Sequence, residues 1–394
     1  MASPTGDIEL LQVMGQRLLE WYERYQRDFP WRRTRDPYAI WVAEMMLQQT
    51  RTETVVGYYE RFMGRFPSLT RLASAPLDDV LKAWEGLGYY ARARNLHAAA
   101  RYVMHELGGQ IPSTHESLLT LPGVGRYTAA AVASIAFGQD AIALDGNLRR
   151  VLCRIFSVDD DPDRPTTQRR LEELAQAMLS PGRAGDFNQA LMDLGATVCL
   201  PASPCCLLCP LTDRCQARRD GIQDLLPIHA TRNQRPHRDV TAGVIWNHDG
   251  HFLISQRPVD AMLGGLWEFP GGKRLPCEDL TACLRREIDE ELGIEISVGD
   301  LLCSVDHAFT HFHMTLYLYN CKWVSGTPQC LGCTAWRWVT LNDLDAFAFP
   351  VADQKIIAFL KTLDSPALQA PSLPRSSDPI IPDSASPSNA CPST

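Results

Sequence analysis

Amphipathic segments with a helical period fill the first half of the chain. Apolar side chains recur at three- and four-residue intervals from residue 8 to about residue 220, and short Pro/Gly/Ser breaks at residues 66–68, 108–109 and 180–182 separate the segments. That spacing is typical of helices packed on a common core, and the breaks are turn signals. The pattern predicts an all-α domain over residues 8–225.

The pattern changes to alternation in the second half. Residues 240–246 and 251–256 alternate between apolar and polar positions on either side of the turn Asp249-Gly250, which is typical of a β-hairpin. We therefore expect an α/β domain over residues 240–363. The polar, proline-containing residues 226–239 before it are expected to be an interdomain linker.

Composition bounds the class of protein. The 394 residues are 45% hydrophobic, enough for two cores. Residues 364–394 are rich in Ser and Pro and too poor in apolar side chains to offset the entropy of folding, so we expect a disordered tail there. There is no apolar run of about eighteen residues and no signal-like N-terminus, which predicts a cytoplasmic protein without membrane contact.

Charge and cysteine content narrow the chemistry. The formal net charge of −8 provides no overall basic surface, so binding of nucleic acid would need a local basic patch. The cysteine count, 13, is odd, there is no secretion signal, and cysteines crowd between Cys199 and Cys215. This usage indicates reduced thiolates that bind a metal in a reducing compartment rather than disulfides.

The metal ligands are expected at Cys199, Cys206, Cys209 and Cys215. These residues are separated by six, two and five residues, a compact set that can wrap one iron–sulfur cluster through thiolates. A zinc site is the alternative, and the additional Cys205 leaves the choice of ligands open.

A glycine-containing turn joins two helical segments at residues 121–125, Leu-Pro-Gly-Val-Gly. Gly123 and Gly125 allow close approach of the backbone to a phosphate, and a helix N-terminus at Arg126 would supply amide donors. The string predicts a helix-hairpin-helix DNA anchor that includes Val124. An ordinary turn between two helices is the alternative.

Two carboxylates stand out in apolar surroundings. Glu44 is the one charged residue from residue 38 to 47, and burial there would raise its pKa and suit it to donate a proton. Asp145 precedes a helix N-terminus, where a carboxylate stays ionised and could stabilise positive charge. The alternatives are a structural pairing of Glu44 inside the helical bundle and a helix-capping role of Asp145.

With these motifs, residues 8–225 resemble the MutY-type adenine glycosylase branch of the endonuclease III superfamily. The resemblance rests on the hairpin, the cysteine set and four further strings: Phe-Pro-Trp-Arg at 29–32, Trp-Val-Ala-Glu-Met-Met-Leu-Gln-Gln-Thr at 41–50, Gly-Leu-Gly-Tyr-Tyr at 86–90 and Leu-Asp-Gly-Asn at 144–147. It implies a two-lobed helical domain that carries a 4Fe-4S cluster. It also implies a monomer that acts on duplex DNA containing adenine opposite 8-oxoguanine or guanine.

The resemblance assigns catalytic roles. Glu44 would protonate the adenine, Asp145 would stabilise or trap the oxocarbenium-like sugar, and Tyr127 and Asn147 would support Asp145. Bifunctional relatives place a Schiff-base lysine where this chain has Tyr127, so we expect base removal without efficient strand cleavage.

The resemblance also assigns DNA contacts. The target base must leave the stack, and Gln49, Thr50 and Tyr89 match positions that probe the oxidised guanine and intercalate beside it. Trp31 and Arg32 of the Phe-Pro-Trp-Arg string are expected to contact DNA as well. Tyr89 as a core aromatic is the alternative.

Residues 240–363 resemble a Nudix (MutT-like) domain, which in this branch recognises 8-oxoguanine. The segment that begins at Gly272 and ends at Ile294 fits the full Nudix box, and Glu287, Glu290 and Glu291 would share one helix face able to hold Mg²⁺ at a diphosphate. Hydrolysis of oxidised nucleotides is therefore an open second activity, and an acidic helix face retained from ancestry is the alternative.

A short string in the same domain is expected to touch the oxidised guanine. Phe309-Thr310-His311 occupies the place of the family's Phe-Ser-His loop, and threonine keeps the hydroxyl. Histidines satisfied within a strand are the alternative for His311 and His313. For the chain as a whole, a nucleotide hydrolase with a DNA-binding helical domain and an inactive damage-binding scaffold are the competing hypotheses.

Overall fold

The computed structural model describes residues 4–229, 235–309 and 311–363. The expected tail, part of the expected linker and Thr310 lie outside these residues. Within the described part, no helix is long and apolar enough to cross a membrane.

The first domain is built from helices, as predicted. They are α1 (Pro4–Tyr25), α2 (Pro37–Leu47), α3 (Thr52–Arg65), α4 (Leu69–Ser74), α5 (Leu77–Trp84), α6 (Ala91–Glu106), α7 (His115–Leu118), α8 (Arg126–Phe137), α9 (Gly146–Phe156), α10 (Pro165–Met178), α11 (Ala184–Thr197) and α12 (Gln216–Arg219).

Two separate apolar cores divide these helices into two lobes. One core is formed mainly by α2 to α8, and the other joins α1 to α9, α10 and α11. The N-terminal helix therefore packs on helices that follow it by more than a hundred residues. A cleft between the two lobes is the geometric consequence.

Helix α2 owes its position to its composition. Asp36 caps it by accepting a hydrogen bond from the amide of Tyr38, and Pro37 occupies the first turn. Apolar residues occur all round the helix, and every residue from Tyr38 to Met46 is buried. Any polar side chain in this helix is thereby held away from water.

The second domain is a mixed sheet with helices. Its elements are β1 (His237–Trp246), β2 (Phe252–Gln256), β3 (Trp267–Glu268), β4 (Gly271–Lys273), α13 (Leu280–Leu292), β5 (Glu295–Ala308), β6 (His313–Ser325), β7 (Ala335–Val339) and α14 (Val351–Leu360). The strand order is β3-β2-β1-β6-β5, with β4 paired to β1 and β7 paired to β2. Separate cores that contain residues of α14 and of α13 lie against the sheet.

The predicted hairpin is present, with Trp246 opposite Phe252 in an antiparallel β1–β2 pair. The predicted boundary was wrong, because β1 begins at His237, inside the expected linker. Residues 237–239 pair with the start of β6. This segment is polar and does not alternate with apolar residues, so its place in a strand depends on hydrogen bonds to a strand distant in sequence.

The two domains share a packed interface. Leu266 and Ala348 of the second domain belong to the apolar core of the first lobe. Around them, Nζ of Lys82 donates to the carbonyl of Phe347 at 2.7 Å, and Oε1 of Glu85 accepts from the amide of Phe349 at 2.9 Å. Helix α5 and the residue that follows it are therefore fixed against the second domain by apolar and polar contacts together.

Candidate active site

A cavity of about 120 Å³ lies between the lobes. Both predicted catalytic carboxylates line it, Glu44 from α2 and Asp145 from the residue before α9. Tyr127, from the first turn of α8, and Asn147 complete the predicted set in the same wall. The structure thus brings together all four residues, which lie up to a hundred positions apart in sequence.

Glu44 is held as an acid by its surroundings. Only 4% of the residue is exposed, and the hydroxyl of Tyr127 donates to its Oε2 at 2.6 Å. Burial raises the pKa of Glu44 to about 7, and the negative charge of Asp145 adds to the rise, while the Tyr127 hydrogen bond and Arg32 oppose it. A large fraction of Glu44 is therefore neutral at pH 7, as a proton donor requires.

Tyr127 supports a different carboxylate from the one expected. Its hydroxyl bonds to Glu44 and not to Asp145. The reason is that α8 packs on α2 in the first lobe, so that the ring points across the cavity to the helix carrying Glu44. Burial raises the pKa of Tyr127 well above its ordinary value, which leaves the hydroxyl as a donor.

Asp145 takes the helix-capping role that the sequence offered as an alternative. As the cap of α9, its Oδ1 accepts the amide of Leu148 at 2.7 Å, and its Oδ2 accepts from Nδ2 of Asn147 at 3.0 Å. Burial raises the pKa of Asp145, and these two hydrogen bonds oppose the rise. Asn147 supports Asp145 as expected.

A chain of hydrogen bonds connects Asp145 to the cysteine loop. Oδ1 of Asn147 accepts from Nη2 of Arg150 at 2.8 Å, and Nε of Arg150 donates to the carbonyl of Cys199 at 2.9 Å. Nη2 of Arg150 also donates to the carbonyl of Gly195 at 2.8 Å, which fixes the guanidinium from a second side. The orientation of the catalytic wall thus depends on the backbone beside Cys199.

The four predicted cysteine ligands converge. Cys199, Cys206, Cys209 and Cys215 line one small cavity of about 30 Å³, whereas Cys205 is exposed and does not line it. Burial raises the pKa of Cys209 to about 12, and the other three thiols contribute to the rise, which places their sulfurs near one another. Arg154 donates to Sγ of Cys199 at 3.4 Å and would offset thiolate charge.

The spacing of these sulfurs can be compared with that of a zinc site. Four sulfurs around one tetrahedral zinc would be about 3.8 Å apart, given a Zn–S bond of about 2.3 Å. In the described part of the chain, no three cysteine sulfurs lie within 4.8 Å of one another. These sulfurs therefore do not have the spacing of a single tetrahedral zinc site.

Trp31 is buried and Arg32 is partly buried, so neither lies on an open surface. Trp31 is 6% exposed and stacks on Phe29, and Arg32 donates two hydrogen bonds to Asp193, at 2.6 and 2.9 Å. Both residues line the cavity with Glu44. Because Asp193 is itself fully buried, ion pairing drew Arg32 inward.

The predicted hairpin lies at the end of a long groove. Gly123 has a φ of +69°, and a side chain there would collide with Asn95, so the turn requires glycine. Gly125 precedes α8 without a side-chain cap and faces open space. Val124 is buried and its amide donates to the carbonyl of Leu121, so it stabilises the turn instead of facing a ligand.

The groove, of about 1070 Å³, connects the hairpin to Asp145. Four arginines line it: Arg51, Arg126, Arg149 and Arg150. Arg126 and Arg149 also form ion pairs with Glu172 and Asp163. This is the local basic patch that the acidic composition of the chain required.

The predicted probing residues border the same region. Gln49 is exposed and Thr50 half-buried, and both line the groove after the end of α2. Tyr89 is 42% exposed, which rules out the alternative of a core aromatic. Gln49 and Tyr89 both have left-handed backbone conformations, with φ of +56° and +49°.

The second domain contains a cavity of about 310 Å³. Glu287 and Glu291 of α13 line it, together with Glu268 and Asp353, which sequence reasoning missed. Burial and the charge of Glu268 raise the pKa of Glu291 to about 8, and burial raises the pKa of Asp353 to about 7. The cavity is therefore rich in carboxyl groups, of which Glu268 is paired with Arg257.

The three expected Mg²⁺ ligands are not brought together as a set. Glu290 is absent from the cavity lining and bonds to Arg286, which also bonds to Glu287. Within the described residues, no group of three carboxylates from this helix lies within 4.8 Å. Arg286 forms ion pairs with both Glu287 and Glu290.

The predicted guanine-recognition string lies in the turn between β5 and β6. The ring of Phe309 stacks on Phe312 at 4.7 Å, and His311 is exposed in the turn, so His311 is not a satisfied strand histidine. His313 begins β6. Thr310, the residue with the expected hydroxyl contact, lies outside the described residues.

Sequence reasoning missed several residues that shape these sites. Asp193, in α11, holds Arg27 and Arg32 beside Glu44. Arg92 holds two loops together. Glu268 and Asp353 lie in a two-residue strand and a short helix. A charged residue inside an apolar helical run, such as Asp193, is the one signal that could have revealed this group.

Two family models match the chain. The model of the HhH-GPD superfamily base excision DNA repair proteins matches residues 42–177, and the NUDIX domain model matches residues 241–359. The fold and the sites therefore define a base-excision DNA repair protein of the helix-hairpin-helix class that carries a second, Nudix domain.

Relatives specify the branch of this class. The adenine DNA glycosylase of Homo sapiens is 38% identical to this chain. The alignment covers 89% of this chain and 74% of the human protein. The adenine DNA glycosylase of Buchnera aphidicola subsp. Baizongia pistaciae (strain Bp) is 30% identical. The alignment covers 90% of this chain and 98% of the Buchnera protein. The chain belongs to the adenine DNA glycosylase family.

A solved structure supports the fold of the helical part. A thermostable thymine-DNA glycosylase is 33% identical to this chain, with a TM-score of 0.50. The superposition covers 55% of this chain and 100% of the thymine-DNA glycosylase.

Proposed function

We propose that the chain hydrolyses the N-glycosidic bond of adenine opposite 8-oxoguanine or guanine in duplex DNA and leaves an abasic site. The observation that carries the proposal is the pair of carboxylates in one cavity between the lobes, with the pKa of Glu44 raised to about 7 by burial and Asp145 bonded to an amide and to Asn147. A neutral acid beside a hydrogen-bonded carboxylate is the arrangement that glycoside cleavage uses.

The roles follow from the contacts. Glu44 donates its proton to a ring nitrogen of the extruded adenine, and Tyr127, bonded to its other side, keeps the carboxyl oriented. Asp145 faces the sugar and stabilises the positive charge that develops as the base leaves. Tyr127 offers no amine for a Schiff base, so the backbone remains intact.

DNA would bind along the arginine-lined groove. Gly125 and the amides that open α8 would receive a phosphate. The exposed ring of Tyr89 fits a wedge beside the vacated stack, and Gln49 and Thr50 fit contact with the opposite base. We further propose that Phe309, Thr310 and His311 contact 8-oxoguanine from the second domain.

The cysteine set fits a 4Fe-4S cluster held by Cys199, Cys206, Cys209 and Cys215. Such a cluster would fix the loop that reaches Asp145 through Arg150 and Asn147. The Cys209→Ser variant should lose iron and the absorbance near 400 nm, whereas Cys205→Ser should keep both. Equal iron loss in the two variants would contradict the assignment.

The proposed reaction is tested by its product. A labelled duplex with adenine opposite 8-oxoguanine should break at the adenine only after hot alkali, and a duplex with thymine in place of that adenine should stay intact. Breakage without alkali would indicate a lyase, and no alkali-labile product from iron-loaded protein would contradict the proposal.

A second activity is favoured by the cavity of the Nudix domain. Glu287 and Glu291 offer carboxyl oxygens that could bind Mg²⁺, and the bound Mg²⁺ would in turn offset the negative charge of a nucleotide diphosphate. With Mg²⁺, 8-oxo-dGTP should yield the monophosphate, and Glu291→Gln should abolish this while base excision continues. No turnover by a protein that excises adenine would restrict the domain to recognition.

Assembly and location complete the proposal. The free thiols of the cysteine set suit a reducing compartment, and we expect a cytoplasmic monomer. Light scattering of the purified chain tests the assembly, and a mass near twice 44.0 kDa would contradict it.

A further inference from the structure

Arg92, in the first turn of α6, lies where the two DNA-probing loops meet. We call residues 48–50 the guanine loop and residues 86–90 the wedge loop. Arg92 is only 6% exposed, and in the described part of the chain no carboxylate forms an ion pair with it. A guanidinium buried without a counter-ion is costly, so its hydrogen bonds must offset the lost hydration.

One side of the guanidinium closes the end of the catalytic helix α2. Nη1 donates to the carbonyls of Met45 at 3.0 Å, Met46 at 2.7 Å and Gln48 at 2.5 Å. The last carbonyls of a helix lack partners within it, and positive charge is favourable there. Arg92 therefore fixes the C-terminal end of the helix that carries Glu44.

The other side holds both loops. Nη2 donates to Oγ1 of Thr50 at 3.2 Å and to the carbonyl of Gly88 at 3.1 Å. The ring of Tyr89 lies 5.2 Å from the guanidinium carbon, within the range of a cation–π contact. One side chain thus contacts the guanine loop, the wedge loop and α2.

Each loop contains a backbone conformation that needs such support. Gln49 in the guanine loop and Tyr89 in the wedge loop both have positive φ without being glycine. Residues in this conformation persist where surrounding contacts determine them. The contacts of Arg92 lie next to both residues.

We propose that Arg92 is a positioning residue that couples the guanine loop and the wedge loop to helix α2, so that a correctly engaged DNA duplex aligns Glu44. Arg92 itself touches neither the base nor the sugar. The proposal deepens the proposed function and rests on it for its kinetic consequence, whereas its structural part concerns the free protein alone.

Two variants and a control separate positioning from stability. Arg92→Lys keeps the charge but has one nitrogen, which cannot reach α2 and both loops together, and Arg92→Met keeps only the length. His97→Gln is the control, because His97 lies in the same helix, is 5% exposed and bonds to the carbonyl of Ala75 without touching either loop.

Hydrogen exchange of the free protein tests the coupling directly. In Arg92→Lys we expect faster exchange in residues 47–51 and in residues 86–91 together, with exchange elsewhere unchanged. In His97→Gln neither segment should change selectively. If only one segment responded to Arg92→Lys, or if both responded equally to His97→Gln, the coupling would be disproved.

Single-turnover excision tests the consequence. Per active molecule, Arg92→Lys should excise adenine opposite 8-oxoguanine at least roughly tenfold more slowly than the wild type. It should also lose the preference for adenine opposite 8-oxoguanine over adenine opposite guanine. Affinity for undamaged duplex should change by less than about twofold, because the groove arginines remain. Wild-type rates and preference in the folded fraction of both Arg92 variants would overturn the proposal.

The two parts can fail separately. If the wild-type protein excised no adenine while the two loops still responded together to Arg92→Lys, the proposed function would fail and the coupling would stand. If excision were normal and the loops did not respond, the coupling would fail alone.

Discussion

The burial of Glu44 lowers the stability of the folded protein at higher pH. The pKa of Glu44 is raised to about 7 by burial, whereas in the unfolded chain it lies near its ordinary value of 4.5. A carboxyl with a raised folded pKa contributes stability that is fully present below pH 4.5 and is lost as pH rises through about 7. The burial that suits Glu44 to donate a proton thus also makes the folded protein less stable as pH rises.

The Glu44→Gln variant should remove this dependence. Its melting temperature relative to the wild type should increase steadily between pH 5 and pH 8, by an amount equivalent to at most about 3 kcal/mol. Differential scanning calorimetry over this range measures it. A melting-temperature difference that stays constant with pH would mean that Glu44 titrates normally.

Tyr127 tunes the same group in the opposite direction. Its hydrogen bond to Glu44 lowers the pKa of the carboxyl, so Tyr127→Phe should raise that pKa further. The alkaline decline of the single-turnover excision rate should shift upward by about one pH unit. A shift to lower pH would show that the hydroxyl stabilises the neutral acid instead.

At the scale of elements, the two glycines of the hairpin before α8 are expected to have different roles. Gly123 is required for folding, whereas Gly125 is expected to matter for DNA binding. Gly123 has positive φ and no room for a Cβ, whereas Gly125 has φ of −89° and open space around it. Gly123→Ala should destabilise the protein by about 1–3 kcal/mol. Gly125→Ala should change stability by less than about 0.5 kcal/mol.

Both variants should bind duplex DNA more weakly, because a methyl group at residue 125 stands where a phosphate would approach the amides of α8. Thermal melting and fluorescence anisotropy with a short duplex provide the two measurements. Unchanged affinity in Gly125→Ala would argue that this helix end does not contact DNA.

The elements also show what could be predicted from the sequence. Helical period and breaks located the helices, and the spacing of the cysteines selected four residues that line one cavity. Contacts that depend on the docking of distant helices could not be predicted from local pattern. The bond of Tyr127 to Glu44 and the burial of Arg32 on Asp193 are of this kind.

At the scale of the whole molecule, the Nudix domain contacts the loop that carries Tyr89. The hydroxyl of Tyr90 accepts from the amide of Gly86 at 3.0 Å and donates to the carbonyl of Phe349 at 3.2 Å. Glu85, one residue before Gly86, accepts from the amide of Phe349. The second domain is therefore bonded directly to the base of the wedge loop.

The Tyr90→Phe variant should weaken this connection. We expect faster hydrogen exchange around residues 347–349 and slower excision of adenine opposite 8-oxoguanine, with a smaller change opposite guanine. Tyr38→Phe is the matched control, because the hydroxyl of Tyr38 also donates to a buried carbonyl, that of Phe66, within the first lobe. Equal loss of preference in the two variants would indicate general destabilisation.

The acidic composition of the chain was the main argument against DNA binding. The structure answers it by placing four arginines along one groove whose lining includes both the hairpin and Asp145. Net charge describes the average surface, and the fold decides where each sign is concentrated.

The central claim is that Glu44 and Asp145 together excise adenine. Single-turnover release of adenine from a duplex with adenine opposite 8-oxoguanine should be measured for the wild type, Glu44→Gln and Asp145→Asn, each with full iron content and wild-type affinity for the duplex. The account predicts measurable excision by the wild type and a loss of at least about a hundredfold in each variant. Excision by either variant at the wild-type rate would contradict it.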